Sequence, residues 1–331
     1  MNKETPDYIE LVKYVRNGLC EQTHFGIIIH MNKRGIIQKI GNDNNYKFYH
    51  RSCMKPLQVS PIIDLGIDEK YNLSSEEIAV CCASHTGDKI HQKYIKSVLN
   101  KINCSENDLL CPEHEPLSKK ECEYLLINNL KPQKIHNNCS GKHSAMLAIC
   151  KEKGFSKENY RALNHPLSDY IINHVCELCE IKKEDIVVSK DGCGLPVIAT
   201  TLEQLGRGFL NVFTNPKYQK ITNAFLNHPI LIGGEGRLDT LIIQNTRNVI
   251  AKVGACGLCV IVNLEKEEAV VIKIADSNMD ARAFTAFDIL KQIKWTEKDS
   301  VQKNNIFGGE IKTLDLELVG SINSCFKLIS D

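Results

Sequence analysis

Val249-Ile250-Ala251-Lys252-Val253, Leu258-Cys259-Val260-Ile261-Val262 and Ala269-Val270-Val271-Ile272-Lys273-Ile274 form the stretch that decides the fold. Each run is short, rich in β-branched residues and bounded by turn residues, which is how strands read in a sequence. The gaps between them cannot hold a crossover helix, so the runs are predicted to pair antiparallel, as a meander. A doubly wound parallel sheet is thereby excluded. Ala281 to Ile293 then carries Phe284, Phe287, Ile289 and Leu290 at spacings that let a helix pack on that sheet.

Toward the N-terminus, Phe25–His30 and Gly35–Ile40 are β-rich runs joined by the polar turn Met31-Asn32-Lys33-Arg34, a hairpin signal. Pro6 to Asn17 reads as a short amphipathic helix, with Tyr8, Ile9, Val12 and Val15 at helical spacing. From about Val59 to Val188 the pattern is mostly helical, with apolar residues at i, i+3 and i+4 in Ile90–Ile102, Lys119–Leu130, Ser144–Lys153 and Leu167–Cys179. The predicted fold is α+β: an antiparallel sheet built from both chain ends and flanked by helices, with a mainly helical block (59–188) inserted. Neither a repeat nor a linker interrupts it, so residues 1–331 are expected to form a single domain.

Composition narrows the function. The 331 residues carry a formal net charge of +1, with 43% hydrophobic and 24% charged residues, as in ordinary globular proteins. There is no basic block and no basic-aromatic interleaving, which argues against a nucleic-acid partner. No apolar run approaches the roughly 20 residues a membrane span requires. Met1–Asp7 lacks the apolar core of a signal peptide, so a cytoplasmic location is expected. In that reducing setting most of the 15 cysteines should be buried small hydrophobes rather than disulfide partners.

Six stretches carry candidate chemistry. His50-Arg51-Ser52-Cys53-Met54-Lys55-Pro56 sets a hydroxyl and an amine three residues apart at a helix start, where Pro56 is tolerated. A desolvated, neutral lysine can take a serine proton, so Ser52-x-x-Lys55 is a candidate nucleophile. The same spacing recurs at Ser300–Lys303 and Ser324–Lys327, so spacing alone does not single it out. Cys81-Cys82-Ala83-Ser84-His85-Thr86-Gly87-Asp88 is small and polar directly after the apolar Ile78-Ala79-Val80. Asn137-Asn138-Cys139-Ser140-Gly141-Lys142-His143 opens a helix, where N–H groups can hold an anion or lower a thiol pKa. Lys190-Asp191-Gly192-Cys193-Gly194-Leu195-Pro196 and Gly233-Gly234-Glu235-Gly236-Arg237 are Gly-rich loops, the second without a dinucleotide or Walker context. Lys252-Val253-Gly254 places a cation on the first strand of the meander. Of the possible metal ligands, Cys139 and Cys193 sit in polar loops. Cys176-x-x-Cys179 lies on an apolar helix face, and Cys256-x-x-Cys259 spans opposite strand faces.

In this order, Arg51-Ser52-x-x-Lys55-Pro56-x-Gln58, Cys82-Ala83-Ser84-His85, Asn138–His143, Asp191-Gly192-Cys193-x-x-Pro196, Gly234-Glu235-Gly236-Arg237 and Lys252-x-Gly254-Ala255 resemble the asparaginase II family, the rhizobial-type L-asparaginases. The resemblance spans about residues 20 to 325. It implies a fold similar to serine β-lactamases and glutaminases, a single catalytic domain, and hydrolysis of L-asparagine to aspartate and ammonia. By the same resemblance Ser52 and Lys55 form one Ser-Lys pair and Ser84 with Lys252 a second, with Asp191 the nearby acid. Arg51, Asn138 and His143 are the implied substrate contacts. Cys139, Lys142 and Cys193 are the implied zinc ligands, the metal organising the pocket, and a homodimer is the implied assembly.

Three positions depart from the family pattern: Cys53 stands where a small residue is usual, Cys256 where an acid is common, and Asp276-Ser277 where Asp-Gly is usual. Because a carboxylate is missing near Lys252, a glutaminase or another serine-acyl amidase is an alternative expectation. A non-catalytic zinc- or thiol-responsive binding protein is a further one, against which both Ser-Lys pairs argue.

Overall fold

A computed structural model describes residues 5–296 and 309–328. Its strands are β1 (Ile9–Arg16), β2 (Leu19–Asn32), β3 (Gly35–Ile40), β4 (Phe48–Tyr49), β5 (Val187–Lys190), β6 (Pro196–Thr200), β7 (Val249–Val253), β8 (Leu258–Asn263), β9 (Glu268–Ile274), β10 (Glu310–Lys312) and β11 (Leu318–Ser324). The principal sheet runs β10-β11-β1-β2-β9-β8-β7, with β3 paired to β2. Its pairs are antiparallel. Hairpin and meander lie where the sequence put them, and both chain ends build the sheet. The fold is α+β.

One N-terminal expectation is overturned. Residues 9–16 are strand β1, held between β2 and β11, and not a helix. Register shifts at Glu10/Val12 and Tyr14/Val15 break the period-2 alternation, and the remaining apolar spacing imitates a helix. The Ser300–Lys303 pair lies outside the described residues.

The central strands are buried on both faces. Along β8, Leu258, Val260 and Val262 enter one core, while Cys259 and Ile261 enter the other. This is why the run reads as unbroken apolar sequence. Helix Met279–Gln292 covers the second core. The first core is shared with the helical block, and by alternation Lys252 faces it from β7 between Ala251 and Val253, which face away.

That block contains helices Lys89–Lys101, Lys119–Ile127, Ser140–Lys153 and Pro166–Leu178 near their expected positions, and also helix Ser75–Cys81. It also runs past residue 188, through Leu202–Phe213, Gln219–Asn227 and Leu238–Gln244. A small sheet, β4-β6-β5, lies inside it. This sheet matters for the site. Chain leaving β4 becomes Arg51-Ser52, and the β5–β6 turn carries Asp191 and Cys193, so the two meet at one end of three short strands. Among the described residues no helix is long and apolar enough to cross a membrane.

Candidate active site

Three approaches of backbone bring the motifs together. Residues Arg51–Met54 form a 3-10 turn that runs into helix Lys55–Val59, with Pro56 in its first turn. Side chains three apart eclipse in such a turn, so Ser52 and Lys55 share a face. Against this turn lies the end of β7. A side chain at Gly254 would meet Cys53 Sγ at 2.9 Å and His50 O at 3.2 Å, so only glycine lets strand and turn touch. The third approach joins helix Ser140–Lys153 to helix Ser75–Cys81, where a Cβ at Gly141 would sit 2.1 Å from Val80 O. Close packing there sets Ser84, just past one helix, beside Asn138, just before the other.

At the centre is Lys55, fully buried. Its Nζ lies 2.7 Å from Ala83 O, 2.8 Å from Asn138 O and 2.7 Å from Ser84 Oγ. Burial foremost, with Lys142 and Lys252 adding to it against the opposing thiols Cys139 and Cys193, lowers its pKa to about 8. The partners explain how a neutral amine fits. As the ammonium, Lys55 donates to both carbonyls and to Ser84 Oγ; on losing one proton it can keep the two carbonyl bonds and turn its lone pair to the Ser84 hydroxyl. Among the described residues the Ser52 hydroxyl makes no hydrogen bond, and it is half-buried, whereas Ser84 is buried with its N–H given to Ile232 O at 3.0 Å.

The second lysine differs. Lys252 Nζ is 3.1 Å from Asp239 Oδ2 and 3.1 Å from Val253 O, with both side chains inaccessible to solvent. Its hydrogen bonds go to Asp239 and not to Ser84, the partner the resemblance implied. Burial alone would raise the Asp239 pKa, but Lys252 and Arg237 hold it below the usual carboxylate range. Sequence reading missed Asp239. Its signal was an acid in the first turn of a helix after Gly233–Arg237, which reads as ordinary dipole complementation.

Cys139, Asp191 and Cys193 offer ligand atoms within 4.8 Å of one another. Lys142 is buried beside them, its charge acting on Cys193 and Cys139. A hydrogen bond from Cys139, opposed by burial and helped by Lys142, lowers the Cys193 pKa well below the thiol range. Conversely, although burial lowers it, Lys142 is raised by Cys193, Cys139 and Asp191. Two thiols and a carboxylate gathered this closely could hold a metal ion. Lys142 must shed its proton to join as a ligand. Cys176 and Cys179 are buried on the apolar helix and belong to no such cluster among the described residues.

Arg51 closes the rim. Its φ is +49°, a left-handed conformation costly for a side-chain-bearing residue. The guanidinium donates to Asp191 Oδ1 at 2.8 Å and to Cys256 Sγ at 3.2 Å. Burial raises Asp191, but Lys142 and Arg51 outweigh it and keep the carboxylate ionised. Cys256, where an acid was expected, is thus an exposed thiol receiving an arginine N–H. His143 is fully buried, and burial, with Lys142, lowers its pKa to about 3. It offers the site a neutral ring rather than a cation.

A buried lysine able to accept a serine proton, with a fixed ion pair and a cluster of two cysteines and an aspartate beside it, is the centre of a hydrolase. The family model described as L-asparaginase II matches residues 12–324, so this chain belongs to the L-asparaginase II family. Among solved structures, the chain is similar to a β-lactamase (Mb2281c) from Mycobacterium bovis, with 13% identity, 82% of this chain and 95% of that one covered, and a TM-score of 0.42. It is also similar to a Bacteroides dorei DSM 17855 protein provisionally named a β-lactamase, with 11% identity, 81% and 93% coverage and a TM-score of 0.44. None of the curated proteins compared matches this chain.

Proposed function

We propose that this protein is an L-asparaginase that hydrolyses the side-chain amide of L-asparagine through a serine ester. The observation that carries the reading is Lys55: fully buried, capped by two carbonyls and turned toward a serine hydroxyl. Ser52 attacks the amide carbon, and its proton passes to the Lys55 amine, with Ser84 bridging. Ammonia leaves with the proton that Lys55 returns. Water, deprotonated by the same amine, then cleaves the ester and frees aspartate and Ser52. Ser52 is assigned the attack because its hydroxyl is half-exposed and its own N–H is free among the described residues for an oxyanion.

Lys252, ion-paired with Asp239, supplies fixed positive charge beside this step, and Asp191 anchors Arg51 at the rim, where the guanidinium meets the substrate carboxylate. Asn138 and His143 complete the substrate contacts. Cys139, Lys142 and Cys193, with Asp191 or water, would hold zinc. Bound there, the ion would supply charge that orders the two loops. We infer a homodimer from the family resemblance, testable by light scattering.

One observation favours a second reading, in which Ser84 is acylated: it is the serine hydrogen-bonded to Lys55. Acid-quenched turnover with L-asparagine, followed by peptide mapping, separates the two. An aspartyl adduct on the Ser52 peptide, lost in Ser52→Ala, supports the first reading, and one on Ser84 replaces it. Parallel ammonia release from glutamine, with and without zinc, tests the substrate. Full activity in both Ser52→Ala and Ser84→Ala would sink the mechanism.

A further inference from the structure

A cavity of about 740 Å³ opens between the Gly233–Arg237 loop and the starts of helices Lys89–Lys101 and Lys119–Ile127. None of Ser52, Lys55, Ser84 or Lys252 lines it, so it is separate from the candidate active site. Its size is that of a small-molecule site. Glycine brings the loop in, because a side chain at Gly234 would collide with Thr86. The Thr86 carbonyl takes the Ser118 N–H at 3.0 Å and ties the two helix starts together. Four large apolar side chains, Ile90, Leu117, Tyr124 and Ile230, line the cavity, yet each is between 39% and 50% exposed.

Most charges around the cavity are already engaged. Thr86 donates its hydroxyl to Asp88, and the Gln92 amide donates to Glu121 at 3.0 Å. Lys89 Nζ stands 3.4 Å from the Tyr124 ring centroid, and Lys119 meets Glu123 at 3.9 Å. Arg237, Glu235 and Lys120 make no side-chain hydrogen bond or ion pair among the described residues. Arg237 is the telling one, because its Nε is buried and still lacks a partner. A ligand oxygen would relieve that unmet donor. Glu235, on the same loop, offers the opposite charge. A polyanion would be repelled there by Glu235, Asp88 and Glu121. A zwitterion satisfies both charges of the loop while its body covers the apolar wall.

We propose that this cavity binds a free α-amino acid with a large apolar side chain. Its carboxylate lies on Arg237, its ammonium on Glu235 and its side chain against Ile90, Leu117, Tyr124 and Ile230. The catalytic centre is close along the chain, since Thr86 follows Ser84 by two residues and Arg237 precedes Asp239 by two. The inference does not rest on the amidase reading.

Calorimetric titration of the full-length protein with L-leucine and L-phenylalanine tests it. At least one should bind. 4-Methylpentanoate, which lacks the ammonium, and L-leucinamide, which lacks the carboxylate, should bind about ten-fold more weakly or worse. Arg237→Gln and the surface change Leu117→Asp should each weaken binding about 10- to 100-fold, and saturating L-aspartate should leave it unchanged. No binding of either amino acid overturns the proposal, as does equal binding of 4-methylpentanoate or unchanged affinity in both variants. Displacement by L-aspartate would move the ligand to the catalytic centre and also overturn it. So would a dimer that Leu117→Asp dissociates while the wild type takes up no amino acid, because a second copy would then fill the cavity. A protein that releases no ammonia from asparagine would sink the amidase reading and leave the titration to decide this one.

Discussion

Of the three lysines buried in this centre, Lys55 and Lys252 form the sharpest contrast, because Lys252 is hydrogen-bonded to a carboxylate and Lys55 is not. Lys55 has two carbonyls and a hydroxyl around Nζ, and Lys252 has a carboxylate. Carbonyl dipoles satisfy N–H groups without balancing a full charge in a dry interior, so Lys55 can fold as an amine. Asp239 balances charge, so Lys252 is one half of an ion pair. The contrast teaches that the chemistry of a buried lysine is set by whether an anion lies beside it. Burial depth is the same for both.

The contrast can be broken most severely at Lys55. Lys55→Met should lower kcat/KM for ammonia release about 10²–10⁴-fold, the worth of a general base. Lys252→Met should cost less, and equal losses would erase the distinction. Next in size, Asp239→Asn leaves Lys252 without its counter-ion and should cost about 3–5 kcal/mol in urea unfolding. Asp239→Asn combined with Lys252→Met should recover most of that, and simple addition of the two losses would show that the residues do not act as a pair.

A smaller effect appears in pH profiles. The working form of Lys55 is neutral, so kcat/KM should rise with pH to a plateau above about 8. At pH 7 it should be about ten-fold below that plateau. A flat profile from pH 6 to 9 would remove Lys55 as the base. Smallest is an acid effect on stability, seen for example at the buried His50 and His143. Burial lowers His50 and His143 to about 3 each. The unfolded chain therefore takes up these protons first. Stability is full above about 6.5 and drains away as pH falls toward 3, by about 1.4 kcal/mol per group at pH 5.5. Urea midpoints at pH 7.5 and 5.5 measure it, and His50→Gln should flatten the difference by one group's share.

The sequence made the meander legible because β7, β8 and β9 are buried on both faces and keep an unbroken apolar run. It misled at β1, where two register shifts scramble the alternation. Cys139 and Cys193 were legible as a pair because polar glycine loops are an odd setting for buried thiols. The partners of the lysines were not legible. Whether Lys55 reaches Ser84, and whether Lys252 reaches Asp239, depends on how helix Ser75–Cys81 and helix Leu238–Gln244 pack, and spacing along the chain holds no record of that.

The pairing of β1 with β11 has a consequence for synthesis on the ribosome. Residues 9–16 leave the ribosome well before their partner, residues 318–324. At about 5–20 residues per second the wait is on the order of 15–60 s. β2 likewise waits for β9. During that interval the inserted helices have local contacts to form, while the first hairpin offers open strand edges. A nascent chain stalled before residue 318 is therefore where self-association, or capture by a chaperone, should concentrate.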